Sequence, residues 1–324
     1  MEEIIPPVPP DLVAAELTPD KRMRSTNKSC NELYVVTADN SPHVMREIGR
    51  LRETAFRAYG GGTGNACDID AYDTMPNGYR QLIVWSPDEQ RILGGYRFLC
   101  GADVRLDSNG QPCLATSHLF RFSDQFIQDY LPCTVELGRS FVTREYQVTG
   151  GGESARRGIF ILDNLWDGLG ALSVIDPSLK YFFGKATMYL SFHREARNLL
   201  LYFLRHHFPD PDGLVSPHVP LVRDFDDRPY RDLFPHHSFR DNYRILNHEV
   251  RRLGANLPPL INAYMTLSGS MRVFGATVNS DFGDVEEIGI LIAVDEILEE
   301  KKQRHVDSYP ATDVCSAGLI RSEA

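Results

Sequence analysis

The stretch Glu136-Leu137-Gly138-Arg139-Ser140-Phe141-Val142 places a carboxylate, a glycine and a guanidinium inside what otherwise reads as a buried strand. Charges in such a setting are costly unless they are paired or used. Gly138 signals a bulge, or a point where a ligand or another backbone comes close. A regular strand would send Glu136 and Arg139 to opposite faces, so a bulge is what would turn both toward one cleft. The structural alternative is an ion pair with Asp70, Asp73 or Arg97. A second cluster is Asp68-Ile69-Asp70-Ala71-Tyr72-Asp73. Carboxylates beside a cleft hold an amine, act as a general base or anchor an arginine, while in a loop they also serve as caps or as solvated surface. Gly94-Gly95-Tyr96-Arg97 adds a glycine pair and a further arginine within a strand.

These residues need elements to position them. Val44, Ile48, Leu51, Ala55 and Phe56 fall on one helical face, and Gly60-Gly61-Gly62-Thr63-Gly64-Asn65 ends that helix as a flexible entrance segment. Tyr79 to Trp85 and Arg91 to Leu99 read as a hairpin across Ser86 to Gln90, and Thr134 to Val142 as a third strand. Ile159, Leu162, Leu165, Trp166 and Leu169 mark a helix, Lys180 to Met188 a strand, and Phe192 to Phe203 a second helix that ends at His206-His207-Phe208-Pro209. Residues 209–240 form an irregular excursion. Helices near Asp241 to Leu253 and after Pro258-Pro259 follow, then strands around Met271 to Val278 and Glu287 to Val294. This order predicts an α+β fold, a mixed central sheet flanked by helices, in one domain over 31–298 with a C-terminal extension. Residues 1–30 read as a flexible arm and 299–324 as a mobile tail.

Composition excludes several classes. The chain has 324 residues, 42% hydrophobic and 24% charged, which is ordinary for a globular protein. A formal net charge of −10 argues against nucleic acid as a partner, and an acidic protein partner would need a local basic patch. No uninterrupted apolar run approaches the roughly 20 residues of a membrane span. The start, MEEIIPPVPPD, lacks the features of a signal peptide, so a cytoplasmic location is expected. The six scattered cysteines contain no C-x-x-C pair and read as free thiols. His206-His207 and His236-His237 are adjacent rather than spaced along one helical face, so no metal site is expected.

Arg52-x-x-x-Phe56, Asp70-x-x-Asp73, Gly95-Tyr96-Arg97 and Glu136-Leu137-Gly138-Arg139-Ser140 occur in an order that resembles two related families. These are the acyl-homoserine-lactone synthases and the ornithine or glycine N-acyltransferases of bacterial aminolipid synthesis. Lys180 to Ala186 also looks like the fifth strand of the latter, and long runs, among them Ser117-His118-Leu119-Phe120, Leu162 to Gly170 and Pro258 to Tyr264, are similar to the Bacteroidetes proteins often labelled hemolysin. Those in turn resemble glycine N-acyltransferases. Gly138, where lactone synthases usually carry serine, favours the aminolipid branch.

The resemblance implies a GNAT-like acyl-CoA N-acyltransferase fold and a long-chain acyl group, with or without a 3-hydroxyl, moved from acyl carrier protein to an amino acid. Glycine is the first choice of acceptor and ornithine the second. It implies no tightly bound cofactor, with acyl-CoA as the alternative donor and transient contact with a membrane surface allowed. Glu136 is the first candidate for the base, with Asp70 and Asp73 as rivals. Arg97 or Arg139 would hold the acceptor's carboxylate, with Arg52 and Phe56 in the substrate-binding set. A backbone N–H at the Gly138 bulge would meet the oxyanion. Gly150-Gly151-Gly152-Glu153-Ser154-Ala155-Arg156-Arg157-Gly158 opens a helix, where N–H groups suit the single phosphate of phosphopantetheine, with Arg156, Arg157 and Gly158 at the donor. Phe141, Phe160 and Tyr181 are candidates for an acyl slot, and Arg194, Arg197 and Arg205 for a carrier-protein patch. A binding protein without catalysis and a membrane-lytic protein are the readings from other classes.

Overall fold

The structure is a computed structural model that describes the chain except residues 148–152, 223–225, 236–237, 310–316 and 322–324. Its strands are Arg22–Ser25 (β1), Glu32–Val36 (β2), Arg80–Ser86 (β3), Arg91–Cys100 (β4), Phe120–Phe122 (β5), Thr134–Val142 (β6), Tyr181–Met188 (β7), Val215–Pro217 (β8), Arg272–Asn279 (β9) and Val285–Ala293 (β10). Eight of them form one sheet, ordered β1-β2-β3-β4-β6-β7-β10-β9, while β5 and β8 pair in a small ribbon. All neighbours in the large sheet run antiparallel except β6 and β7, which are parallel.

That parallel pair is short. It holds from Thr134–Tyr181 to Leu137–Gly184; beyond it β6 follows β4 and β7 follows β10, so the sheet splits. Gly184 sits at the fork because a Cβ there would lie 2.6 Å from the Leu137 carbonyl oxygen. Only glycine lets the strands meet so closely before they part.

One face of the sheet buries Leu82, Val84, Phe98, Leu137, Phe182 and Ile290 under Glu153–Ile175 (α4) and Arg194–His207 (α5). Strand alternation turns the other residues of the same strands to the opposite face. There, Pro10–Glu16 (α1) and Pro42–Arg57 (α2) cover an apolar cluster with Ile83, Trp85, Phe141 and Val285. An aromatic cluster holds the other end, with Tyr79, Phe120, Phe126, Phe183 and Leu291. Following the two-residue period between the clusters gives Tyr79, Gln81, Ile83 on β3 and its approach, Phe183, Lys185, Thr187 on β7, and Val285, Glu287, Leu291 on β10. A polar band therefore crosses the sheet on this face, bounded by apolar packing on both sides. The remaining helices are Ala71–Thr74 (α3), Arg228–Leu233 (α6), Phe239–Arg252 (α7), Pro259–Met265 (α8) and Glu299–His305 (α9).

Several expectations change. Residues 1–30 are docked rather than loose: Val8 and Val13 are buried, Glu16 accepts from the His43 and Val44 N–H groups at the start of α2, and β1 joins the sheet. The described part of the tail is anchored as well. His305 is buried on α9 with its Nδ1 2.7 Å from Asp167 on α4, and Tyr309 and Ile320 are also buried. The excursion over 209–240 contains β8 and α6, whose Tyr230 packs on Tyr202. The glycine loop is held, because Glu53 accepts from Thr63 N and Oγ1 (3.0 and 2.9 Å) and from Gly64 N (2.8 Å).

One described window, Arg156–Ile175 of α4, is long and apolar enough on average to cross a membrane, yet Asp163 and Asp167 interrupt it and 67% of it is buried in the fold. Its apolar stripe is spent on the sheet.

Candidate active site

The polar band converges on the split. Between Gly95 and Arg97 of β4, strand β6 runs from Phe141 back to Gly138, one residue more, so the bulge falls at Arg139 and Ser140. Arg139 takes φ +47°, a left-handed backbone that costs a non-glycine residue about 1 kcal/mol. The bulge brings Glu136 and Arg139 onto one face, although the distorted residue is the one after the glycine.

From there the charges interlock. Arg139 Nε lies 2.9 Å from Asp68 Oδ2, and its Nη2 is 3.7 Å from Asp70 Oδ2. Arg97 Nη1 donates to Asp70 (2.7 Å) and to Asp73 (3.3 Å). Arg52, fully buried on α2, donates to both Asp73 oxygens (3.3 and 3.2 Å) and to Gln81. Asp70 caps α3 by accepting from Tyr72 N and Asp73 N, while its own N–H donates to Asp73, so the acidic segment is rigid. Burial would raise the Asp73 carboxyl, but the Arg52 and Arg97 guanidiniums outweigh it and hold it well below the usual range. Asp73 is thus the counter-ion of two guanidiniums, and Arg52 is sealed behind it. Phe56 also stands back, edge-on to Phe282 at 5.1 Å.

Glu136 is 2% exposed and forms no ion pair among the described residues. The Tyr79 hydroxyl donates to it, as do the Ala115 N–H (3.3 Å) and the Thr116 N–H (3.1 Å). Burial pushes its carboxyl up to about 8 against the pull of those two backbone donors. It therefore ties the Leu114-to-Phe120 loop to the sheet as well as presenting a proton acceptor under that loop.

On β7 and β10 the band continues with residues to which sequence reasoning assigned no role. Lys185 contacts Glu287, whose other oxygen accepts from the Thr187 hydroxyl at 2.9 Å, and Asn279 Nδ2 donates to Glu287 at 3.2 Å. Phe282 touches both halves of the band, with the Arg139 guanidinium 4.4 Å and the Lys185 ammonium 5.7 Å from its ring centre. The signal was present in Lys185 and Glu287 breaking apolar strands, but their pairing joins positions 102 residues apart.

At the start of α4, residues 150–152 of the glycine run lie outside the described residues. Arg156 is exposed, whereas Arg157 is engaged by Glu89 and lies 5.0 Å from the Tyr146 ring centre. Gly158 serves packing, since a Cβ there would meet the Tyr146 carbonyl oxygen at 2.1 Å. Phe141, Phe160 and Tyr181 do not converge. Phe141 packs with α2, Phe160 is 38% exposed and Tyr181 rests on Tyr130, because they stand on different faces and elements. Arg197 is engaged by Glu286 and Arg205 by Asp227, which removes much of the expected patch.

A sheet that splits between parallel neighbours, with a charged band at the split, defines an acyltransferase of the GNAT type, and an acetyltransferase (GNAT) domain matches residues 51–153. The chain is 60% identical over 309 residues to glycine N(alpha)-acyltransferases of Bacteroides thetaiotaomicron and Phocaeicola vulgatus, covering 95% of itself and 91% and 94% of theirs. It belongs to that family. The solved structure of a CoA-dependent acyl-homoserine lactone synthase, BjaI, with SAM and isopentyl-CoA spans 90% of this chain and 92% of that one at 8% identity and a TM-score of 0.35. A likeness of that size bears on neither donor nor acceptor.

Proposed function

We propose that this protein transfers a long-chain fatty acyl group from acyl carrier protein to the α-amine of glycine, giving an N-acylglycine and the free carrier thiol. The observation that carries the reading is the charged band ending at the split, with Asp70 and Arg139 partly open to solvent (30% and 13%) while Arg52, Asp68 and Asp73 are sealed behind them. A partly open carboxylate beside a partly open guanidinium suits an amino acid, which brings one charge of each sign.

In this reading the thioester lies along the unpaired edge of β6 beyond Leu137, where backbone N–H groups are available to an extended amide-bearing arm and to the oxyanion. The glycine nitrogen attacks the carbonyl carbon, the C–S bond breaks, and the thiolate leaves to be protonated. Glu136 takes the amine proton; a carboxyl raised to about 8 is matched to an amine far better than an ordinary one. Asp70 orients the acceptor, and Arg97 holds Asp70 from behind. Carrier protein is favoured over acyl-CoA by the exposed tip of α4, where Arg156 adjoins Ile159 (65% exposed) and Phe160, with Lys28 5.6 Å from the Phe160 ring centre. Cations beside apolar side chains complement an acidic, partly apolar helix.

The test is mass spectrometry of purified enzyme with palmitoyl or 3-hydroxypalmitoyl carrier protein, then with the corresponding CoA esters, offered glycine and ornithine in competition. N-acylglycine from the carrier-bound donor is the expected product. N-acylornithine would move the acceptor, faster turnover with CoA would move the donor, and no acylated amine from folded enzyme would sink the reading.

A further inference from the structure

We propose that Lys185 is a specificity-determining residue that shares the acceptor's carboxylate with Arg139 beside Phe282. The inference rests on the reading that the acceptor is an amino acid and adds where its carboxylate sits and which second cation selects it.

Three observations converge. The first is unspent donor capacity. Arg139 commits Nε to Asp68, and its Nη2 is 3.7 Å from Asp70, beyond hydrogen-bond distance. Among the described residues its two terminal nitrogens therefore have no hydrogen-bond acceptor. Lys185 gives one hydrogen to Glu287, and its other two have no acceptor there either. Both side chains are 13% exposed, and both lie against the ring of Phe282. The second is geometry. Arg139 and Lys185 both approach one ring, 4.4 and 5.7 Å from its centre, and stand on the two strands that part at the split. An anion between them would bridge β6 to β7 where backbone pairing stops.

The third is charge balance. With Glu136 protonated, Arg52, Arg97, Arg139 and Lys185 face Asp68, Asp70, Asp73 and Glu287, cation for carboxylate. A low-dielectric layer already balanced takes up a net charge only at high cost, whereas a zwitterion adds none. The layer thus favours an acceptor carrying its own carboxylate over a simple amine. Glu287 keeps Lys185 in place; Thr187 and Asn279 keep Glu287 in place. Burial, with Arg139 and Arg97 nearby, lowers the lysine's pKa, and an arriving carboxylate relieves that stress.

The test compares glycine with glycinamide, which has the amine but no carboxylate, at saturating acyl donor, for wild type, Lys185→Met and the double variant Lys185→Met/Glu287→Gln. Wild type is expected to prefer glycine. Lys185→Met should lower kcat/KM for glycine by about 10- to 150-fold, the range for one hydrogen bond to a charged group, mainly through KM. Glycinamide should stay within about threefold, so the preference collapses. The double variant removes both buried charges and guards against misfolding from an unpaired Glu287. Equal losses for both acceptors in the folded variants would assign Lys185 a structural role and overturn the inference, as would an unchanged preference. Wild type that acylates neither acceptor would overturn the acyl-acceptor reading itself.

Discussion

Replacing Glu136 by glutamine separates the buried carboxyl's ionisation from its hydrogen bonds. Its pKa rises from 4.5 in the unfolded chain to about 8 in the fold. Between those values the folded state holds the proton more tightly than the unfolded one, so this group's contribution to stability is full below pH 4.5 and lost as pH climbs through 8. At about 1.36 kcal/mol per unit, the loss is on the order of 5 kcal/mol. Glutamine has no proton to lose, so the pH-dependent part disappears. What replaces it is a fixed cost. Below about pH 8 the protonated carboxyl brings one hydrogen to its three donor neighbours, Tyr79, Ala115 N and Thr116 N, whereas the amide NH2 group brings two and accepts from none of them. An unsatisfied buried donor costs about 1–3 kcal/mol at any pH. The two stability curves should therefore cross: near pH 5 wild type is the more stable by about 1–3 kcal/mol, and near pH 8.5 the variant leads by about 2 kcal/mol. Urea unfolding across that range reads the difference directly. In parallel, kcat/KM for glycine should carry a limb near pH 8 in wild type, which the variant loses while keeping the rise from the acceptor amine's own ionisation. A stability gap that stays constant from pH 5 to 8.5 would refute the raised carboxyl and with it the proposed base.

Other outcomes follow from the same contacts. Arg52→Met leaves Asp73 with a broken pair in a sealed layer and should cost about 3–5 kcal/mol in urea unfolding; a loss under 1 kcal/mol would mean that water reaches Asp73. Because the Asp73 carboxyl is held low, its share of stability is present above its unfolded value of 3.8 and should fade as pH drops below that, a fading that circular dichroism should find absent in Asp73→Asn. Gly184→Ala puts a Cβ 2.6 Å from the Leu137 carbonyl oxygen, so the fork must open and stability should fall by about 1–3 kcal/mol, with a changed KM for the donor. Arg156→Glu at the exposed tip of α4 should raise KM for acyl carrier protein several-fold while leaving acyl-CoA turnover unchanged; equal effects on both donors would place the carrier elsewhere.

Much of the scaffold was legible because local periodicity dictates it. Thr134–Val142 alternates and carries β-formers, and it is a strand over those residues in the structure. The β3–β4 hairpin and the helices of the second half follow the same logic. The edge strand β1 was missed because Arg22-Met23-Arg24-Ser25 is short and polar, and such a strand forms only when β2 offers it a partner. The docked arm was missed for a similar reason: Val8 and Val13 are buried by α2, a contact with no local signature.

The chain alone determined which residues carry charge inside strands that should be apolar, Glu136, Arg97 and Arg139, while Asp70 and Asp73 stood out as a carboxylate cluster in a loop. What it left open was how they divide the work. Only the tertiary structure placed Arg52 and Asp73 behind the site as a sealed pair, gave Asp68 to Arg139, and set Lys185 and Glu287 opposite them. Strand order made that choice. β7 meets β6 on one side and β10 on the other, and the bulge at Arg139 turns a side chain across the resulting gap. Ionic interactions depend on distance through space, and the period of a strand fixes only which face a residue shows.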